Sequence, residues 1–190
     1  MAKTSGGTRG GKSVSDAASK AVAGVESLIR GNSYESAAVI DTSGKQLLFK
    51  KGDKRQVAFS PEESALMKDA ILTHNHPFGL TDRYKIGNSF SNPDILTAIS
   101  SDVKEIRAAT ARYSFSIKRP KTGWGTDVSA TNARLGIIEG NIKRKLQGYI
   151  DNYRGNPDVA IARANVLHHH LKSKELAKMM GWTYTKTKIK

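Results

Sequence analysis

There is no cysteine anywhere in the 190 residues. That excludes a disulfide framework and any thiolate metal site, so a bound metal must use histidine and carboxylate. Long apolar runs are missing as well. None approaches the ~20 residues needed to cross a bilayer, and no membrane partner is expected. The opening segment, Met1-Ala2-Lys3-Thr4-Ser5-Gly6-Gly7, has no apolar core of the secretory kind, so a cytoplasmic location is expected. Acidic residues are scarce, 17 against 31 Lys and Arg, for a net charge of +14.

The positive charge sits at the two ends. Residues 1–13 carry three basic side chains and no acid, and residues 14–117 are nearly balanced. Residues 118–190 hold 15 basic against 5 acidic side chains, a balance of +10. Such clustering suggests a nucleic acid or an acidic protein as partner, while a solubilising face explains it equally well. Three parts are expected: a disordered basic tail over 1–13, a compact domain over 14–125, and a basic helical extension over 126–190.

Periodicity and turn chemistry outline the elements. A helix is predicted near 15–30, then a hairpin from Tyr34–Asp41 and Gln46–Lys50 around Thr42-Ser43-Gly44. Ser60-Pro61-Glu62-Glu63 reads as a capping box opening a helix through Lys68. A short buried strand over Ala70–Thr73 follows, then a loop over Phe78–Asn88 and a helix from Ser91 to about Ser101. Glu105–Ala109 and Tyr113–Lys118 read as strands. In the basic region Leu135, Ile138, Ile142 and Leu146 form one helical stripe. Two further helices are expected, over 158–171 and 174–180.

The chemistry concentrates in His74-Asn75-His76-Pro77 and Ser91-Asn92-Pro93-Asp94. Side chains two residues apart on a strand point the same way, so His74 and His76 can share one ion. Asp94 can add a third ligand. Three protein ligands and an open position are the pattern of catalytic zinc. Hydrolysis also needs a base, and Glu35, entering a half-buried strand with no basic neighbour, is the best-placed acid. Ser91 and Asp94 have a simpler reading as a helix N-cap with an acid in its first turn. The run His168-His169-His170 is not a second metal site, because consecutive helical residues point about 100° apart. Trp124 and Trp182 read as packing anchors.

Glu35, His74-Asn75-His76-Pro77 and Ser91-Asn92-Pro93-Asp94, in that order, resemble the JAMM motif of the JAB/MPN zinc metalloprotease superfamily. The likeness is strongest to the RadC branch. A weaker one, carried by Phe59-Ser60-Pro61-Glu62-Glu63 through Ser89-Phe90-Ser91, is to JAB-type domains of phage and mobile-element proteins. The resemblance covers about residues 34–118. It implies an α/β (α+β) fold, a mixed curved sheet flanked by helices as in the cytidine-deaminase-like architecture. It implies Zn²⁺ bound by His74, His76 and Asp94, water activated by Glu35, and an oxyanion stabilised by Ser91. The implied activity is cleavage of a peptide or isopeptide bond, with a protein or peptide substrate that could carry a ubiquitin-like modifier. Two alternatives stand beside it. One is a RadC-like nucleic-acid-binding or nuclease protein, the other a catalytically idle phage or mobile-element assembly protein. The 13 residues between Pro77 and Ser91 are more than the family usually places there, so the Phe78–Asn88 loop must bulge for Asp94 to reach the histidines.

Overall fold

In a computed structural model, residues 15–77 and 88–189 are described. The basic tail over 1–13 and all but the last residue of the Phe78–Asn88 loop lie outside them. The chain is a mixed α/β protein. Helix α1 (Asp16–Ile29) leads into the hairpin β1 (Ser36–Ile40) and β2 (Gln46–Lys51), then α2 (Pro61–Ala65) and β3 (Ile71–Asn75). Next come α3 (Asn92–Ser100), β4 (Glu105–Ala109) and β5 (Tyr113–Lys118). The chain ends with α4 (Val128–Asp151), α5 (Pro157–Met180) and β6 (Thr183–Lys188). The six strands form one sheet in the order β2-β1-β3-β4-β5-β6. Only β3 and β4 run parallel, joined by a crossover through α3; every other pair is antiparallel.

Strand alternation divides the apolar side chains between two layers. On one face Ala38, Ile40 and Ile71 meet Ala18, Val22, Val25 and Ile29 of α1. On the other, Ala37, Val39, Leu72, Ile106, Ala108, Phe115 and Ile117 meet apolar side chains of α3, α4 and α5. The α1 face also holds a polar network around the buried Glu26 carboxylate. It accepts from Arg107 Nε at 2.6 Å and from the Ser114 hydroxyl at 2.6 Å. Every lone charge there is paired, which is the condition for keeping it inside.

Capping chemistry works as read. Ser60 and Glu63 exchange backbone and side-chain bonds in a complete capping box. The helix stops at Ala65 rather than Lys68, because the chain reverses at Asp69, with φ 59°, to enter β3. Two expectations are corrected at the C-terminal end. The helices expected over 158–171 and 174–180 are one 24-residue helix. Lys172 and Ser173, at the supposed break, are buried, and the Ser173 hydroxyl donates to His169 O one turn back, so nothing frees the backbone there. The basic region is not wholly helical either: β6 adds to the sheet beside β5, in register from Lys118↔Thr183 to Tyr113↔Lys188. Trp124 and Trp182 pack edge to face at 4.7 Å, and Trp182 Nε1 donates to Trp124 O. They are packing anchors. Among the described residues no helix is long and apolar enough to cross a membrane.

Candidate metal centre

The centre lies where β3 ends and α3 begins, outside the carboxyl end of a parallel strand. His74 is flanked in the sheet by Ala37 on β1 and Ala108 on β4. Two methyl groups beside an imidazole leave the space in front of the ring open. His76 continues past the strand, its N–H donating to Ala109 O at 3.1 Å. As the two-residue period requires, both rings face the same side, with centroids 4.7 Å apart and edge to face.

Asp94 joins them. It sits at the third position of α3, whose capping box with Ser91 is complete: Ser91 N–H donates to Asp94 Oδ2 at 2.7 Å, and Asp94 N–H to Ser91 Oγ at 3.3 Å. The N-cap reading and the ligand reading therefore coexist in one carboxylate. Asp94 Oδ1 is 3.4 Å from His74 Nε2, and Oδ2 is 3.2 Å from His76 Nε2. The two Nε2 atoms are 2.9 Å apart. His74, His76 and Asp94 are the one group of potential metal ligands found among the described residues.

These distances fit a metal. Ligand bonds of 2.0–2.1 Å in tetrahedral geometry separate the ligand atoms by about 3.3 Å. The observed separations fall around that value. The donor set of two imidazoles and a carboxylate suits zinc. His76 Nδ1–H donates to Asn88 O at 2.8 Å, which holds the tautomer whose Nε2 carries the lone pair toward the cluster.

Glu35 shares the same cleft of about 390 Å³ with His74, His76, Ser91 and Asp94. It stands one residue before β1, held in backbone pairing with the 52–53 turn: its N–H donates to Asp53 O and its carbonyl accepts from Gly52 N–H. The β1–β3 ladder runs from Ala37↔His74 to Ile40↔Ile71, so Glu35 and His76 both lie just past its end. Gly52 is required for space, because a Cβ there would lie 2.1 Å from Gln56 O. Burial raises the Glu35 carboxyl above its usual range, against the lowering effect of the two histidines.

Three contributors were not singled out by sequence reasoning. Asn75, between the histidines, is fully buried; its Oδ1 accepts from Ser36 N–H at 2.7 Å and its Nδ2 donates to Tyr34 O at 3.0 Å. One amide thus grips the backbone on both sides of Glu35. His169 of α5 lines the cleft and its Nδ1–H donates to Phe90 O at 3.2 Å. Burial, aided by the Lys172 cation, pushes His169 down to about 4, so the ring stays neutral. The third is the buried Lys172 itself. The spacing of His168-His169-His170 shows none of this, since the partners are about 80 residues away. As expected, the three do not converge on one point: His170 Nδ1 instead bonds the Tyr184 hydroxyl at 2.8 Å.

Without metal the cluster holds a proton. Burial disfavours charge on His76, but its hydrogen bond to Asp94, the Asp94 charge, the Asn88 carbonyl and Glu35 outweigh that and raise it to about 9. Asp94, despite burial, is held well below the carboxylate range by the two histidines. A raised His76 contributes stability that is complete below its unfolded value of about 6.5 and is lost as pH rises toward 9. A depressed Asp94 and a depressed His169 both lose stability as pH falls. Metal-free protein is therefore expected to be most stable near pH 6.5. Urea melts in chelator across pH 4–9 check this; a midpoint that rises steadily to pH 9 contradicts it.

The fold and cluster together define a mixed α/β protein with a His-His-Asp group able to hold a metal ion at a strand–helix junction. Comparison of the chain with family models, curated proteins and solved structures finds no match.

Proposed function

We propose that the chain is a zinc-dependent hydrolase of the JAB/MPN type that cleaves a peptide or isopeptide bond. The observation that carries this reading is the gathering of Glu35, His74, His76, Ser91 and Asp94, spread over 60 residues of sequence, in one cleft. The mixed sheet, with α1 on one face and α3 to α5 on the other, is compatible with that architecture.

When bound by His74, His76 and Asp94, zinc supplies Lewis acidity and lowers the pKa of water to about 7. Glu35 takes the proton from the attacking water and returns it to the leaving nitrogen. The Ser91 hydroxyl accepts from Asp94 N–H, and that bond leaves its own proton available for the oxyanion that develops on the scissile carbonyl. Leu72, Ile106, Val57 and Phe59 line the cleft and give it an apolar wall for a substrate side chain.

Metal analysis tests the centre. Purified protein loaded with Zn²⁺ and desalted is expected to hold close to one ion per chain, and the double variant His74→Ala/His76→Ala to hold none. Full zinc occupancy in the double variant sinks the ligand assignment. Turnover of peptide and ubiquitin-like isopeptide conjugates, abolished by chelation and restored by Zn²⁺, is the expected activity.

A further inference from the structure

The turn that delivers Asp94 is held from outside the motif. Helix α5 lays three side chains, His169, Lys172 and Ser173, against residues 89–92, and β6 adds Tyr184. His169 Nδ1–H donates to Phe90 O. Lys172, 1 % exposed, directs its ammonium at Asn92 Oδ1 and at Glu139 Oε1 of α4, the latter at 3.4 Å. Lys172 and Asn92 together hold the Glu139 carboxyl below its usual range. Ser89 Oγ bonds the hydroxyls of Ser173, at 3.5 Å, and of Tyr184, at 3.2 Å. Each residue from Ser89 to Asn92 except Ser91 is thus gripped by α5 or β6, and Ser91 is left to cap α3.

A buried lysine is costly unless it is paired. Here its partners are Asn92, the first residue of α3 and two residues before Asp94, and the Glu139 carboxylate on the neighbouring helix. We infer that the α4–α5 hairpin is a clamp, with Lys172 and Asn92 as positioning residues that set the Ser91–Asp94 turn so that the Asp94 carboxylate meets His74 and His76. This rests on the metal reading above. His74 lies on β3 and His76 is tied to β4 through its N–H to Ala109 O, whereas Asp94 lies on α3, whose first residue, Asn92, meets Lys172.

Co²⁺ is the probe, because its visible absorption reports ligand number and its affinity is measured by competition with a chromophoric chelator. Loss of a residue that orients a metal ligand weakens affinity by about 10- to 100-fold. Lys172→Met is expected to fall in that range and to shift the spectrum to that of Asp94→Asn. Asn92→Ala, which leaves α5 untouched, is expected to do the same and decides the matter if Lys172→Met does not fold. In an Asp94→Asn background neither change should weaken Co²⁺ further, since the effect passes through that carboxylate. Wild-type affinity in both single variants, or an equal loss in both backgrounds, overturns the clamp alone. Failure of the wild-type protein to bind either Co²⁺ or Zn²⁺ overturns the metal centre and the clamp with it.

Discussion

Glu35→Gln is expected to lower turnover by about 10²- to 10⁴-fold while leaving the zinc content at the wild-type level. The substitution keeps the shape of the side chain and removes only its ability to hold a proton. Glu35 is not one of the three clustered ligand residues, so the metal should not notice. What it does share with them is the cleft. The wild-type kcat/KM profile should show an acid limb at the pKa of this group in the zinc-loaded protein. Protonated Glu35 cannot act as base, so the rate falls as pH drops through that value. In the variant this limb should vanish. Turnover and metal content measured on the same sample decide it: undiminished hydrolysis removes Glu35 from the mechanism, and lost zinc makes it a ligand instead.

The second large effect is expected at Asn75. Asn75→Ala removes a fully buried side chain whose two bonds satisfy Ser36 N–H and Tyr34 O. Leaving a buried backbone donor unpaired costs about 1–3 kcal/mol, and a lost acceptor partner adds to it. The expected destabilisation is roughly 2–4 kcal/mol, read as a lower midpoint in urea with an unchanged slope. Because those two bonds flank Glu35, hydrolysis should fall beyond what the unfolded fraction explains, while zinc remains on the histidines. A variant with wild-type stability shows that Tyr34 and Ser36 find other partners. One that is unstable but fully active per folded molecule shows that Asn75 serves the fold and not the base.

Much of the centre was legible beforehand because it depends on local rules. His74 and His76 lie on one side of an extended chain by the two-residue period, whatever surrounds them. Ser91 and Asp94 close a capping box through backbone groups three residues apart. The strands Glu105–Ala109 and Tyr113–Lys118 stand at their predicted bounds, since alternation and β-branched or aromatic content agree there. Where the reading failed, a distant contact outweighed a weak local signal. Thr183–Lys188 carries strand-favouring Thr and Tyr but no apolar alternation, and it pairs only because β5 offers its open edge. The continuity of α5 follows from the burial of Lys172 and Ser173, which no periodicity in a lysine-rich segment reveals.

The sequence by itself determined which residue types could serve as ligands, their order, and the direction in which the histidine pair faces. These follow from side-chain chemistry and backbone geometry within a few residues. Only the tertiary structure decided that Asp94 reaches the pair and that Glu35 shares their cleft. It alone gave Asn75 and Lys172 their places behind the centre. Those outcomes depend on strand register and helix packing between segments up to about 80 residues apart, where the free energy comes from burial of whole faces rather than from any local pattern.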